Sequence, residues 1–587
     1  MAFLLVCLIL VLNAFFPGEV YEETGLLIYL LSGIMCFGLL FFRRDTGWLN
    51  HVSSGRFYLA AFLICLCFFS FLASLDRAAA RDTMILFLSY ILFLFVLVTL
   101  PFKKGETAFK LASLLAGLAA VIAIFGLYQH YYQLERTYRE LTHALAFSQE
   151  MKEYGLRRLA TGRIFSTFAL PTTLAAFLAM VFPLNVSLFF HPRSSRFIKF
   201  LILCSGFLIL LALYFTYSYS GVVMLAGAGF ISLVLLRPIS FSRRSVILAL
   251  LVLIIGTFIG LKLIGFERGF DLLDLDASQD NPIKLRLLNY KGGIAIAGAY
   301  PYLGAGPGNF GTAYPRLMYP GSNETQYAHS TPIQFAAEMG IPAFCIALIL
   351  FVFWFYDVTR RGRKMVQGEK NERAILLIGY YTAFLVFLLH NLGDIDFYFP
   401  GTAIPGLLIA GVCAGLVRKG EKVPSLLSGK VKMAAVAGML ICFLFFLPQA
   451  WFSYQGEKHY ALSERAAHGG DFSAAAFEAE RAADMDTLNY LYPAVRAWYL
   501  RRTAGDVRQE AVILSALEQA RENNPHAAFV RAQLSESYLL QGKLLNAYLE
   551  AAESHRLYPL SETYQALEEQ YSNMIAKEIS GAAHEPK

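Results

Sequence analysis

Charge is scarce in this chain. Asp, Glu, Lys and Arg make up 16% of its 587 residues, against 57% hydrophobic residues and 50 phenylalanines. So little polar surface excludes an ordinary water-soluble globule of this length. Cysteine chemistry is missing too. All eight cysteines fall inside apolar runs, and no Cys-x-x-Cys accompanies a matching set of histidines, so neither a disulfide framework nor a zinc site is expected. No acidic cluster invites a metal, and neither metal nor cofactor is expected. The net charge of +7 sits mostly in loops, where it reads as membrane topology, and no nucleic-acid partner is expected.

What the sequence does contain is long apolar runs. About thirteen of them reach or approach the ~20 residues needed to cross a ~30 Å hydrocarbon core. They are 2–16, 25–42, 57–75, 83–101, 109–128, 169–190, 198–217, 221–236, 246–264, 336–356, 374–391, 402–417 and 432–450. The first lacks the basic flank and cleavage site of a signal peptide and counts as a span. The expected fold class is therefore all-α: a polytopic transmembrane helical bundle of about 12–13 spans over residues 1–450, followed by a soluble helical domain over 451–587. Arg43, Arg44, Lys103, Lys104, Arg193, Arg196, Arg237, Arg360, Arg361 and Arg418 all exit on one side, which the positive-inside rule makes cytoplasmic. With the N-terminus cytoplasmic, the long loops 129–168 and 265–335 and the C-terminal domain fall outside. Arg77 and Arg81 are the exceptions among the outer loops.

After residue 450 the composition turns to Ala, Glu, Arg, Gln and Tyr. Pro525 and Pro559 lie 34 residues apart, and Leu534, Tyr538, Gly542, Ala547 and Ala551 between them suit the packing and turn positions of a tetratricopeptide helix pair. Gly470 and Ala475 repeat the theme. About three degenerate repeats fit, which would offer a surface to a protein partner; a plain helical bundle is the alternative.

Residues able to carry chemistry gather near the outer ends of spans. On a helix expected from about Pro282 to Ala299, Arg286 and Tyr290 are four apart and share a face. Arg286 is either a fork for a diphosphate or an interfacial arginine. The run "GAGPGNF" reads as tight turns at Gly304, Gly306 and Gly308 rather than as a nucleotide loop, since no strand precedes it. His329 stands just before a span, as a proton acceptor for a hydroxyl or as a histidine bonded to a carbonyl. Glu338 lies at membrane level, where an unpaired carboxylate is costly and implies a partner. Arg163 enters the span marked by Pro171. In "HNLGDIDFYFPG", His390 is followed by Asp394 and Asp396, which either orient an imidazole or arginine or are solvated loop charges.

The segments "GRIFSTFALPTTLAAFLAM", "RLLNYKGGIAIAGAYPYLGAGPGNF", "AHSTPIQFAAEMGIPA" and "HNLGDIDFYFPG" resemble those of the O-antigen ligase family, which also includes polysaccharide polymerases and protein O-oligosaccharyltransferases. Ser330 stands where the family usually has Asn, and "STFALPTT" departs from its usual Gly-x-x-x-x-Pro-Asn. The resemblance implies a bacterial inner-membrane enzyme. It would transfer a glycan from an undecaprenyl-diphosphate-linked donor to a hydroxyl of a lipid-linked sugar, a glycan or a protein at the periplasmic face. His329 and Arg286 would be catalytic, Arg163, Arg286 and Tyr290 would bind the donor diphosphate, and Glu338, His390, Asp394 and Asp396 would support them. A transporter or flippase for the same lipid, the alternative from another class, would call for ionisable residues at mid-membrane and for repeat symmetry between halves.

Overall fold

The computed structural model describes residues 2–18, 20, 22–42, 54–98, 100, 102, 105–143, 156, 159–236, 281–368, 372–418, 429–503 and 507–582. The protein is all-α, with no strand among the described residues. Nine described helices are long and apolar enough to cross a membrane, and three shorter apolar ones, Ala2–Phe15, Glu23–Gly38 and Tyr58–Leu72, accompany them. The expected span 246–264 lies outside the described residues, as do 144–155 and 265–280 of the two long loops.

Two helices form the centre. Pro171–Phe190 and Pro400–Val417 are apolar all round and buried on nearly every side, as such helices must be unless lipid covers them. Glu372–Gly393 packs against both. Arg196–Phe215 lies further out and turns Phe197, Phe200 and Phe207 away from the protein.

Hydrogen bonds tie the loops into two groups at opposite ends of the bundle. At one end Asn13 donates to the Pro400 carbonyl, Thr167 to Ala14, Arg163 to Thr216, and Leu75 N to Ala305. At the other, Arg193 pairs with Glu372 at 2.9 Å and Arg373 donates to the Leu416 carbonyl.

The Gly-rich run after Pro301 is a plug in the first end. Gly304, Gly306 and Gly308 all have positive φ, at 71°, 104° and 68°. The following helix, Thr331–Gly368, is broken at Gly340 (φ 83°). The broken turn's backbone groups are taken up by the glycine run: Ala305 N donates to Ala337 O (2.9 Å), Gly306 N to Glu338 O (3.0 Å) and Ile341 N to Pro301 O (2.9 Å). Irregular backbone near membrane depth is tolerated because it is satisfied and buried in protein. A Cβ on Gly304 would sit 2.2 Å from the Glu338 carbonyl.

The helix Gly429–His468 runs unbroken from the last apolar segment through residue 450 into the C-terminal domain. Apolar side chains give way there to Glu457, Lys458 and Glu464, and the helix passes Pro448 and Gly456 without ending. Six further helices, from Phe472–Met485 to Glu562–Ala582, pack each against the next. Ala475, Leu534, Tyr538, Ala547 and Ala551 are buried, and Gly470 and Gly542 take left-handed turns. This domain is docked on the bundle. Arg81, one of the two charge exceptions, is buried with Asp486 in a two-pronged ion pair (2.5 and 2.8 Å), Asn524 donates to Asp76 (3.1 Å), and Tyr558 to Glu324 (2.7 Å).

Gly304→Ala should fold poorly, losing several degrees or more of melting temperature in detergent, because positive φ and a backbone clash add. Gly162→Ala, with φ 65° but open space around it, is the control and should cost only about 1 kcal/mol. Asp486→Ala removes the two-pronged partner of buried Arg81 but leaves it Asp82 (2.9 Å) and Ser453 (2.9 Å), so it should cost about 1–3 kcal/mol. Limited proteolysis should then release the C-terminal domain; unchanged resistance would contradict the docking.

Candidate functional site

The site is built on a corner of the chain. Glu372–Gly393 ends at its glycine, Asp396–Tyr398 makes a single 3₁₀ turn, and Pro400 opens the next helix at a position where its missing N–H costs nothing. The carboxylate of Asp394 therefore points off a tight corner rather than along a helix. Its side chain is only 3% exposed.

Two partners come to it from separate elements. Asn281 caps the helix Pro282–Ala299 by accepting from Ile283 N and Lys284 N, and one turn later Arg286 places Nη2 3.3 Å from Asp394 Oδ2. His329 brings Nδ1 to 3.5 Å from Asp394 Oδ1. The turn holding His329 is itself pinned to the corner: Thr331 N donates to the Asp394 carbonyl (3.1 Å), Thr331 Oγ1 to Asn391 (2.6 Å), and Gln334 accepts from Ala328 N (2.6 Å). His329 pays for its placement with a left-handed backbone, φ 54°. Ser166 and Tyr217, the other described non-glycine residues with positive φ, lie on the loops of Arg163 and of Thr216 at this same end. Such strain concentrates where surrounding structure over-determines a site.

Burial would raise the Asp394 carboxyl. The His329 ring at 3.5 Å and the charges of His390 and Arg286 outweigh it and hold the group down to about 2. Asp394 is thus ionised. Asp396, two residues on, is pushed up by burial despite its bond to His390. Tyr290, on the face of Arg286, has its phenol raised by burial, which keeps it a hydrogen-bond donor.

The structure thus brings Arg286, His329 and Asp394 together, with Tyr290 one turn from Arg286. Asp394 and Asp396 are buried, not solvated loop charges. Arg163 stands on a neighbouring loop, its Nε donating to Thr216 O at 2.8 Å. Glu338 serves a different purpose. Fully buried, it accepts from Gln334 (2.7 Å), Tyr398 (2.8 Å) and Phe310 N (3.4 Å), and so locks the glycine plug to the broken helix. Gln334, Asn391 and Tyr398, which brace the corner, have no motif of their own in the sequence, nor does Ser220, whose Oγ lies 3.1 Å from His390 Nε2. Polar residues at the ends of apolar runs were the only signal.

Beside this corner opens an apolar cavity of about 1230 Å³, above the ~300–1,000 Å³ of a typical small-molecule pocket. Thr331, Pro332, Asn391 and Leu392 line it near the site, and Phe102, Gly415 and Arg418 line it towards the opposite end of the bundle. Among the described residues no cluster of His, Cys, Asp or Glu has the arrangement of a metal site.

Fold and site together define a polytopic helical membrane protein with an arginine and a histidine sharing one buried carboxylate at one end of the bundle. Residues 204–348, which include Arg286, Tyr290, His329 and Glu338, match the O-antigen ligase family model. No curated protein matches it.

Because Asp394 is held low when folded, its contribution to stability is complete above its ordinary value of 3.8 and fades as pH falls towards about 2. Arg286→Ala removes one of the charges that depress it. The melting temperature of this variant should therefore fall less between pH 5 and pH 2 than that of wild type, and an equal fall would contradict the pairing.

Proposed function

We propose that this protein transfers a glycan from an undecaprenyl-diphosphate-linked donor to an acceptor hydroxyl at the periplasmic face of the bacterial inner membrane. The family match supports glycan transfer in general. The observation that carries the finer reading is the convergence of Arg286 and His329 on Asp394.

With Nδ1 facing the Asp394 carboxylate, the favoured neutral tautomer of His329 carries its proton there and leaves the Nε2 lone pair for the acceptor. The acceptor oxygen attacks the anomeric carbon of the donor sugar, its proton passes to Nε2, and the bond from that carbon to the diphosphate oxygen breaks. The leaving lipid diphosphate carries the electron pair away. Arg286, with Arg163 and the Tyr290 hydroxyl, binds the diphosphate and stabilises the charge growing on it. Asp394 meanwhile stabilises the imidazolium. No nucleotide is needed, since the activated donor supplies the driving force, and two arginines provide positive charge without a metal. The apolar cavity beside Thr331 and Asn391 accommodates the isoprenoid chain while its headgroup stays at the corner.

On this reading the end that holds Arg193, Arg373 and Arg418 is cytoplasmic, and the corner and the C-terminal domain are periplasmic. That domain stands over the outer loop through Tyr558 and Glu324, where an acceptor or a partner protein would arrive.

His329→Ala should lower transfer by about 10²–10⁴-fold in proteoliposomes with lipid-linked donor, with membrane insertion unchanged. Full transfer by this variant would remove the general-base assignment.

A further inference from the structure

A second polar chain meets the same corner, and beyond the charge that His390 sets near Asp394 the transfer step above makes no use of it. His390 and Asp396 are 2% and 0% exposed, and their side chains meet at 2.5 Å through His390 Nδ1 and Asp396 Oδ2. Burying such a pair beside apolar helices is costly, and ordinary hydrophobic packing would serve stability as well. Nor does the carboxylate cap the next helix: there the Asp396 main-chain carbonyl accepts from Thr402 Oγ1 (2.7 Å).

The pair instead reaches across to the turn between Arg196–Phe215 and Tyr219–Leu236. His390 Nε2 lies 3.1 Å from Ser220 Oγ, which lies 2.9 Å from Ser218 Oγ. Ser218 N donates to Thr216 Oγ1 (3.3 Å), and the Thr216 carbonyl receives Arg163 Nε (2.8 Å). Between them Tyr217 is held at φ 47°. One stretch of seven residues, 390–396, thereby reaches both arginines: Arg286 directly through Asp394, and Arg163 through His390, Ser220, Ser218 and Thr216.

We propose that His390, Asp396 and Ser220 are positioning residues that fix Arg163 relative to Arg286, so that the two guanidinium groups together select a lipid diphosphate over a lipid monophosphate. A single phosphate can be held by one arginine, whereas two linked phosphates reward a pair of forks at a set separation. This rests on the donor reading above.

The test uses the full-length protein in lipid nanodiscs and two probes, farnesyl diphosphate and farnesyl monophosphate, with binding measured directly. Wild type should bind the diphosphate at least about tenfold more tightly. His390→Gln and Ser220→Ala should each weaken diphosphate binding about tenfold and change monophosphate binding less than about twofold. Arg163→Ala combined with Ser220→Ala should be no weaker than Arg163→Ala alone, since the hydroxyl acts through the arginine. Equal losses for both probes, or additive losses in the double variant, would overturn the positioning role. Ser220→Ala removes one hydroxyl, so it carries the test even if His390→Gln folds poorly. A wild type that binds neither probe, or binds both alike, would instead sink the donor reading itself.

Discussion

Holding the Asp394 carboxylate charged at 3% exposure, between the ends of two apolar helices, is the demand around which this end of the bundle is arranged. A buried charge without partners would cost several kcal/mol or lose its charge. Arg286 arrives from one helix and His329 from the turn before another, and each is braced so that it can arrive: the first by the Asn281 cap, the second by Thr331, Asn391 and Gln334. The glycine plug, the break at Gly340 and the Glu338 lock all lie one step behind, holding the helix from which the His329 turn springs.

Much of this was legible in the residues. The apolar runs foretell the helices because a membrane leaves the backbone few alternatives. Pro282 and the small residues after it foretell the helix Pro282–Ala299, which places Arg286 and Tyr290 on one face. Positive φ at Gly304, Gly306 and Gly308 follows from glycine's missing Cβ. What could not be read were contacts between distant segments. Arg81 reads as a topological exception, and the adjacent Asp82 pairs with it, yet nothing local announces its second partner, Asp486, 405 residues away. Ser218 and Ser220 look like ordinary helix-end residues until His390 is placed beside them. Glu338 reads as a carboxylate that needs a partner, and it has three, Gln334, Tyr398 and a main-chain amide, none of which could be named from the sequence.

The C-terminal helices are more than an appendage on a tether. A continuous helix leads into them, and a buried ion pair with two hydrogen bonds seats them on the loops beside the candidate site. Asp76, which accepts from Asn524, also shares two hydrogen bonds with Asn309 at the end of the glycine plug. A short series of polar contacts thus joins the helical domain to the glycine plug.

The central claim is that Arg286 works through the Asp394 carboxylate that it shares with His329. A double-mutant cycle on single-turnover transfer, using Arg286→Lys and Asp394→Asn, measures that coupling most directly. The account predicts that the two changes together cost less than the sum of each alone, by about 1–3 kcal/mol. Strict additivity would mean that the two side chains stand near each other without working together.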